Sequence, residues 1–326
     1  MNILIIGTGS IGMRHLQNCL TLNSNSLISV VSRSKTEIQN IKSILIYKNI
    51  EDAFAKNQFY DAVIVATPTN LHIENCVQLI NLGIKKIYLE KPISNKIDGV
   101  FELIELIKKQ SVLVFVGFDM RFDLGLNKVI QLLNDITIGN LISFQAEVGQ
   151  YLPDWRPETD YKTGMSAKIA LGGGVMLDLV HEFDYLIWIL GPFKNIFGLN
   201  KKVPTLEIET EAISVNIIET QTGIIGVLSM DYLQKKLCRR VKFIGDNGII
   251  EWDYVTSQVK WNTKKNQDWN TFSYNHIERN DRFITILEAF FDATASNIDP
   301  RLTILSDGVA SLEAVLKAKE FNNLYK

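Results

Sequence analysis

Ile3 to Ile6 is an unbroken apolar run closed by Gly7, the pattern of a strand buried on both faces. The next segment changes period: Ile11, His15, Leu16, Cys19 and Leu20 recur at helical spacing up to Leu22. The alternation continues. Strands are predicted at Leu27–Val31, Ala62–Ala66, Lys86–Leu89 and Val112–Val116, and helices at Ile50–Lys56, Leu71–Leu82 and Val100–Lys109. Strand and helix in turn, joined by short links, imply parallel pairing through right-handed crossovers and hence a doubly wound sheet.

Beyond Val116 that rhythm stops. A helix is predicted at Gly125–Asn134 and a long strand at Leu141–Leu152. Trp155–Leu171 is irregular, and Gly172-Gly173-Gly174 opens one apolar helix, Val175–Leu190, stopped by Gly191-Pro192. Strand-like runs follow at 195–203, 210–219, 223–232, 238–245, 248–252 and 257–262, with a hairpin turn at Gly245-Asp246-Asn247-Gly248. Helices at Ile277–Ala295 and Leu302–Phe321 close the chain. The expected fold is α/β: a dinucleotide-binding doubly wound domain over 1–120, an α+β domain over 121–300 with a large, mostly antiparallel open sheet, and a C-terminal helix over 301–326 packing back on the first domain.

Ligands of a doubly wound sheet bind outside the carboxyl ends of its strands. Here those ends carry Gly7-Thr8-Gly9, Ser32-Arg33, Ala66-Thr67-Pro68 and Glu90-Lys91-Pro92. Gly7, Gly9 and Gly12, with Thr8, Ser10 and Ile11 between them, form a G-x-G-x-x-G between a strand and a helix. The first glycine permits the turn, the second lets a pyrophosphate approach the backbone, and the third lets helix and strand pack closely. An NAD site usually adds a carboxylate after the second strand. The first acidic residue of this chain is Glu37, while Ser32, Arg33 and Lys35 occupy the region. Serine and guanidinium suit a 2′-phosphate, which favours NADP. If Arg33 only stacks on the adenine, either cofactor remains possible.

Charge and composition exclude some functions. The formal charge is −2, without the basic stripe of a nucleic-acid binder. Met1 leads straight into a strand and no apolar run reaches membrane-span length, so the expectation is a cytoplasmic protein with no membrane partner. Cys19, Cys76 and Cys238 are isolated, without disulfide or zinc spacing, and no metal site is expected. A hydrolase elbow, G-x-S-x-G, is absent.

Four stretches, IIGTGSIGMRH, ATPTNLHIE (66–74), YLEKPIS (88–94) and GGGVMLDLVHEFDYLIWILG (172–191), resemble the Gfo/Idh/MocA family of oxidoreductases across nearly the whole chain. The resemblance implies a Rossmann domain plus a mostly β domain, in homodimers or homotetramers. It also implies an NAD(P)-dependent enzyme oxidising a sugar hydroxyl or reducing the matching ketone. It puts the cofactor on Gly7, Gly9, Ser10, Ile11, Arg33, Thr67, Asn70, His72 and Glu90, and the catalytic lysine at Lys91. The loop at 152–174 resembles members tied to surface-sugar biosynthesis.

Hydride transfer needs a base for the hydroxyl proton and a group that stabilises the developing alkoxide. Lys91 suits the reacting oxygen. His181 is the candidate base, with Asp178 assisting: on one continuous helix Asp178, His181 and Asp184 share a face. The spacing is Asp-x-x-His where the family has Asp-x-x-x-His, and Glu182 takes the fourth place. Asp184 either binds substrate or ties its domain together. Arg121, after the fifth strand with Asp119, has a structural or substrate-lining role. Trp155, Arg156 and Tyr161, an arginine among aromatics, suit a sugar, a carboxylate or a nucleotide-sugar phosphate, or else a subunit contact. His15, His72 and His276 are given no acid–base role. Two other readings are an NAD-dependent glycosidase or lyase of the same family and a non-catalytic NAD(P)-binding sensor.

Overall fold

The apolar runs of the first 116 residues lie side by side as parallel strands in the computed structural model, which describes residues 1–22, 25–33, 37–38, 44–56 and 59–323. In chain order they are β1 (Asn2–Ile6), α1 (Ser10–Leu22), β2 (Leu27–Val31), β3 (Leu45–Tyr47), α2 (Ile50–Lys56), β4 (Ala62–Val65), α3 (His72–Asn81), β5 (Lys86–Leu89), α4 (Val100–Gln110) and β6 (Leu113–Val116). Ile3, Leu4, Ile5, Val63, Ile64, Ile87 and Leu89 are wholly buried, as a sheet covered on both faces requires. The registers align the carboxyl ends: Ile6 lies opposite Val31 and Val65, Val65 opposite Leu89, and Leu89 opposite Val116. Gly7, Ser32, Ala66, Glu90 and Gly117 therefore stand at one level, each one residue past the last paired position of its strand.

The second half of the chain begins with α5 (Leu124–Asn134), whose N-cap is Asp123; its carboxylate accepts from the amides of Gly125 and Leu126 at 2.9 and 3.1 Å. There follow β7 (Leu141–Gly149), four short 3-10 turns between Leu152 and Leu171, and two helical pieces, α6 (Val175–Asp178) and α7 (His181–Leu190). The single helix expected over 175–190 is thus broken. Leu179 leaves helical geometry (φ −102°, ψ 31°), and the ladder resumes with the Asp184 amide on the Val180 carbonyl at 3.1 Å.

Next come β8 (Phe193–Lys201), β9 (Ile213–Thr220), β10 (Ile225–Asp231), β11 (Cys238–Gly245), β12 (Gly248–Asp253), β13 (Gln258–Thr263) and β14 (Asn270–Ser273). With β7 they form an eight-stranded sheet, order β14-β13-β12-β11-β7-β10-β9-β8, antiparallel except for the parallel pair β7–β10. The predicted turn at 245–248 joins β11 to β12. Burial alternates as a one-sided sheet demands: Ser214, Asn216, Ile218 and Thr220 point inward, while Val215 and Ile217 are exposed.

The chain then forms α8 (Arg279–Asp292), β15 (Thr303–Ile304) and α9 (Leu305–Asn323). β15 pairs antiparallel with β6 and completes a seven-stranded sheet, order β15-β6-β5-β4-β1-β2-β3. Two compact units result: Met1–Asp119 with Arg279–Val309, and Met120–Glu278 with Ala310–Lys326. Against the expected boundary at 300, α8 belongs to the first unit and not the second. The tie of α8 is a buried ion pair, Arg282 to Asp119 at 3.0 Å. The C-terminal helix also differs from expectation, because only its first turn belongs to the first unit. Farther along, its Ala318 carbonyl accepts from Asn200 at 3.0 Å and its Phe321 ring meets Phe197 edge-on at 5.2 Å. Gly198 makes that approach possible, since a Cβ there would press on the Ala318 carbonyl.

Candidate active site

The rim of the first unit starts at Gly7, with φ +104°, a conformation L side chains rarely adopt. A Cβ on Gly7 would strike the Ala66 carbonyl, and one on Gly12 would strike the Gly7 carbonyl. Gly9 differs: nothing lies within 4 Å of where its Cβ would be, and Gly9 and Ser10 are exposed. An open glycine ahead of the 13-residue helix α1, whose first amides have no helical acceptor, fits a pyrophosphate.

At the end of β2 the Ser32 amide donates to the Tyr47 carbonyl at 2.9 Å. The Ser32 hydroxyl shares a 2.7 Å hydrogen bond with the Thr8 hydroxyl. Ser32 is buried and Arg33 exposed. Lys35 lies outside the described residues.

The loops after β4 and β5 are tied together by His72, the first residue of α3. Its Nδ1 is 2.8 Å from the Pro92 carbonyl and its Nε2 3.0 Å from the Thr67 carbonyl. A neutral imidazole donates to only one of them at a time. Burial pushes His72 below the ordinary histidine value, and this outweighs the two carbonyls, which pull the other way. His72 was expected to touch the cofactor. The residue is 1 % exposed and both ring nitrogens lie on main-chain carbonyls, so its ring ties the two loops together. Thr67 accepts from Asn75 at 2.9 Å, while Pro68 and Asn70 are exposed.

Glu90 points inward. Its Oε1 lies 2.7 Å from His15 Nε2, and its Oε2 accepts from the Lys91 amide at 3.2 Å. His15 sits in the body of α1, wholly buried. Sequence reasoning assigned it nothing, and no pattern in the chain marks it; only the register of β5 against α1 brings it to Glu90. Lys91 is half-buried and follows directly.

In the second unit, Asp178 ends α6, and its Oδ2 accepts from the Tyr232 hydroxyl at 2.6 Å. Burial and the Asp178 carboxylate both hold the Tyr232 phenol protonated, well above its ordinary value. Trp155 meets the Tyr232 ring edge-on at 5.4 Å and donates to the Gln150 carbonyl at 3.2 Å. Trp155, Tyr232 and Asp178 therefore form one cluster, whereas Arg156 is exposed and Tyr161 approaches the Glu207 amide at 3.5 Å. Tyr232 was absent from the sequence-based candidates.

His181 begins α7 and is 8 % exposed. Because the helix breaks between Asp178 and His181, their spacing does not place them on one helical face. Asp184, wholly buried, takes Arg121 through two bonds of 2.9 and 2.7 Å, and the Arg121 guanidinium also lies 5.5 Å from the Trp188 ring centre. Glu182 is likewise buried and paired with Arg239 at 2.6 Å. Arg121 and Asp184, for each of which a structural and a substrate-lining role stood open, are locked to each other. Among the described residues no cluster of His, Cys, Asp or Glu is arranged to hold a metal, and no helix is long and apolar enough to cross a membrane.

Comparison with known proteins agrees with this geometry. Residues 1–118 match the Gfo/Idh/MocA family profile described as an oxidoreductase family with an NAD-binding Rossmann fold, and residues 126–251 match that family's C-terminal domain. Myo-inositol 2-dehydrogenase of Thermotoga maritima is 26 % identical over 317 residues, covering 93 % of this chain and 91 % of that protein. The crystal structure of the WlbA dehydrogenase of Bordetella pertussis, in complex with NADH and UDP-GlcNAcA, superposes with a TM-score of 0.82 at 16 % identity, covering 100 % of this chain and 97 % of the other. Myo-inositol 2-dehydrogenase of Lactobacillus plantarum gives a TM-score of 0.82 at 19 % identity, covering 100 % and 98 %.

Proposed function

The chain belongs to the Gfo/Idh/MocA oxidoreductase family, and from that premise we propose that it moves a hydride between a nicotinamide cofactor and a hydroxyl-bearing carbon, or the matching ketone, of a sugar, cyclitol or nucleotide sugar. The observation that carries the proposal is the convergence of the Gly7–Gly12 loop, Ser32-Arg33, Ala66-Thr67 and Glu90-Lys91 at one level of one sheet. When bound, the cofactor supplies the ring that exchanges the hydride.

The amides at the start of α1 hold its phosphates. The hydroxyl of Ser32 is engaged by Thr8, so selection for a 2′-phosphate, and with it the preference for NADP over NAD, rests on Arg33. Lys91, placed by the Glu90 turn and the following proline, donates to the reacting oxygen and steadies the alkoxide charge. His181, at the start of α7, takes or returns the hydroxyl proton. The Asp178–Tyr232 pair, with Trp155 against Tyr232, lines the substrate and fixes the Asp178 carboxylate. Lys91 and His181 are assigned to one reaction by the chemistry each supplies.

The exposed side chains Phe197, Leu199, Ile217, Ile225 and Val227 on β8, β9 and β10 form an apolar stripe that suits a second copy of the chain. We therefore assign a homo-oligomer, which light scattering tests. The test of function is absorbance at the nicotinamide band on mixing the protein with NADP or NAD and a panel of inositols, hexoses and UDP-sugars. A signal with at least one pair is expected. Product without net cofactor change would identify a transient-oxidation lyase, and silence with every pair would identify a sensor.

A further inference from the structure

We propose that His15 is a positioning residue. Through Glu90 it holds the turn that presents Lys91, and so links the glycine-loop helix to the lysine loop. The proposal rests on the role given to Lys91 above.

The surroundings of His15 leave its ring one polar direction. It is wholly buried, with Tyr88 edge-on at 5.2 Å and Phe283 edge-on at 6.5 Å. Nε2 is 2.7 Å from Glu90 Oε1, while Nδ1 has no hydrogen-bond partner among the described residues. The tautomer that satisfies the site carries its hydrogen on Nε2 and donates it to Glu90. The other carboxylate oxygen accepts from the Lys91 amide at 3.2 Å. Each oxygen of Glu90 thus has one donor, the first from α1 and the second from the residue whose side chain is to act.

Gly117, one residue past β6, closes the remaining side. A Cβ there would stand 3.2 Å from Glu90 Oε1 and 2.9 Å from the Tyr88 hydroxyl. The carboxylate has a floor of sheet, a wall at Gly117 and two donors, and little freedom to rotate. A residue that merely filled this space would need no nitrogen; leucine or phenylalanine would serve. A buried donor aimed at a buried carboxylate offsets the cost of burying its charge and also fixes its orientation. What Glu90 orients through its second oxygen is the backbone of Lys91. Misplacement of a catalytic group by about 1 Å costs on the order of a hundredfold in rate, so a device that fixes this turn has a kinetic consequence.

Two variants separate the donor from the volume. His15→Leu keeps the bulk and removes the donor, whereas His15→Gln places an amide nitrogen where Nε2 stood. The first readout needs no cofactor. Lysines of the apo protein are reductively ¹³C-methylated, and the Lys91 resonance is assigned by its loss in Lys91→Arg. In His15→Leu that resonance moves or broadens, and in His15→Gln it returns to the parent position. The second readout uses the substrate found by the panel. In His15→Leu kcat falls roughly ten- to hundredfold, while KM and the fluorescence-measured Kd for NADPH stay within about threefold, and His15→Gln recovers kcat. An unmoved Lys91 resonance with unchanged kcat in His15→Leu overturns the proposal, as does equal impairment of both variants. If His15→Leu does not fold, His15→Asn replaces it, its amide falling short of Glu90: impairment of Asn but not Gln supports the proposal, and any other pattern overturns it. A parent protein that binds neither NADPH nor NADH refutes the proposed function, and the resonance readout still decides the role of His15.

Discussion

Removing the carboxylate of Asp184 should cost the second unit a large part of its stability. Asp184 is 0 % exposed and the Arg121 side chain 9 %, and the two are joined by a bidentate pair of 2.9 and 2.7 Å. In Asp184→Ala the guanidinium stays where α7 and the segment before α5 hold it, with its main counter-charge gone. Breaking a buried pair from one side costs about 3–5 kcal/mol. With a urea slope of about 3 kcal/mol per molar, the midpoint should fall by about 1–1.7 M. The companion variant, Arg121→Met with Asp184→Leu, removes both charges and keeps the volume. It should recover most of the loss, because replacing a buried pair with apolar groups is often neutral or favourable. Tryptophan fluorescence follows the transition, since Trp188 lies against Arg121 and Trp252 lies wholly within the same unit. A midpoint for Asp184→Ala within about 0.3 M of the parent, accompanied by lost turnover, would refute the reasoning and return Asp184 to the substrate site.

Other consequences follow from the same geometry. Arg33→Ala should weaken NADPH binding much more than NADH binding in a fluorescence titration, and an unchanged ratio would remove the basis for NADP preference. Tyr232→Phe takes a donor from a buried carboxylate and should destabilise by about 1.5–3 kcal/mol, measured by urea unfolding; a stability equal to the parent's would show that Asp178 does not depend on that bond. His72 is held below its ordinary value in the folded state. The unfolded chain therefore binds a proton first, and the stability supplied by His72 is present above the unfolded value of about 6.5 and lost as pH falls through it. The stability difference between the parent and His72→Asn should shrink between pH 7.5 and 5.5, and a difference that grows on acidification would contradict the burial argument.

How much of this was legible in the chain depends on what sets each feature. β2 and β5 have the bounds the sequence predicts, Leu27–Val31 and Lys86–Leu89, because a strand buried on both faces is largely apolar. α2 and β11 also match the sequence reading residue for residue. The break between α6 and α7 was hidden. Val175–Leu190 contains no proline or internal glycine, so no local signal marks Leu179. On either side of the break stand partners far along the chain, Tyr232 on Asp178 and Arg239 on Glu182. β15, two residues long, exists only because Phe115 and Val116 offer it an edge. The rim residues were readable from the glycine spacing and the Glu-Lys-Pro triplet, but their internal bonding was not. Nothing local distinguishes the engaged His72, Glu90 and Arg121 from groups that would face a ligand, since their partners, Pro92, His15 and Asp184, are brought to them only by the fold.

The account centres on Lys91 acting on the hydroxyl of a substrate beside a nicotinamide held on the Gly7 rim. Single-turnover hydride transfer in Lys91→Met, at saturating cofactor, tests this most directly. The predicted result is NADPH affinity within about threefold of the parent and a transfer rate lower by about a hundredfold to ten-thousandfold. Transfer at the parent rate with the amine gone would contradict it.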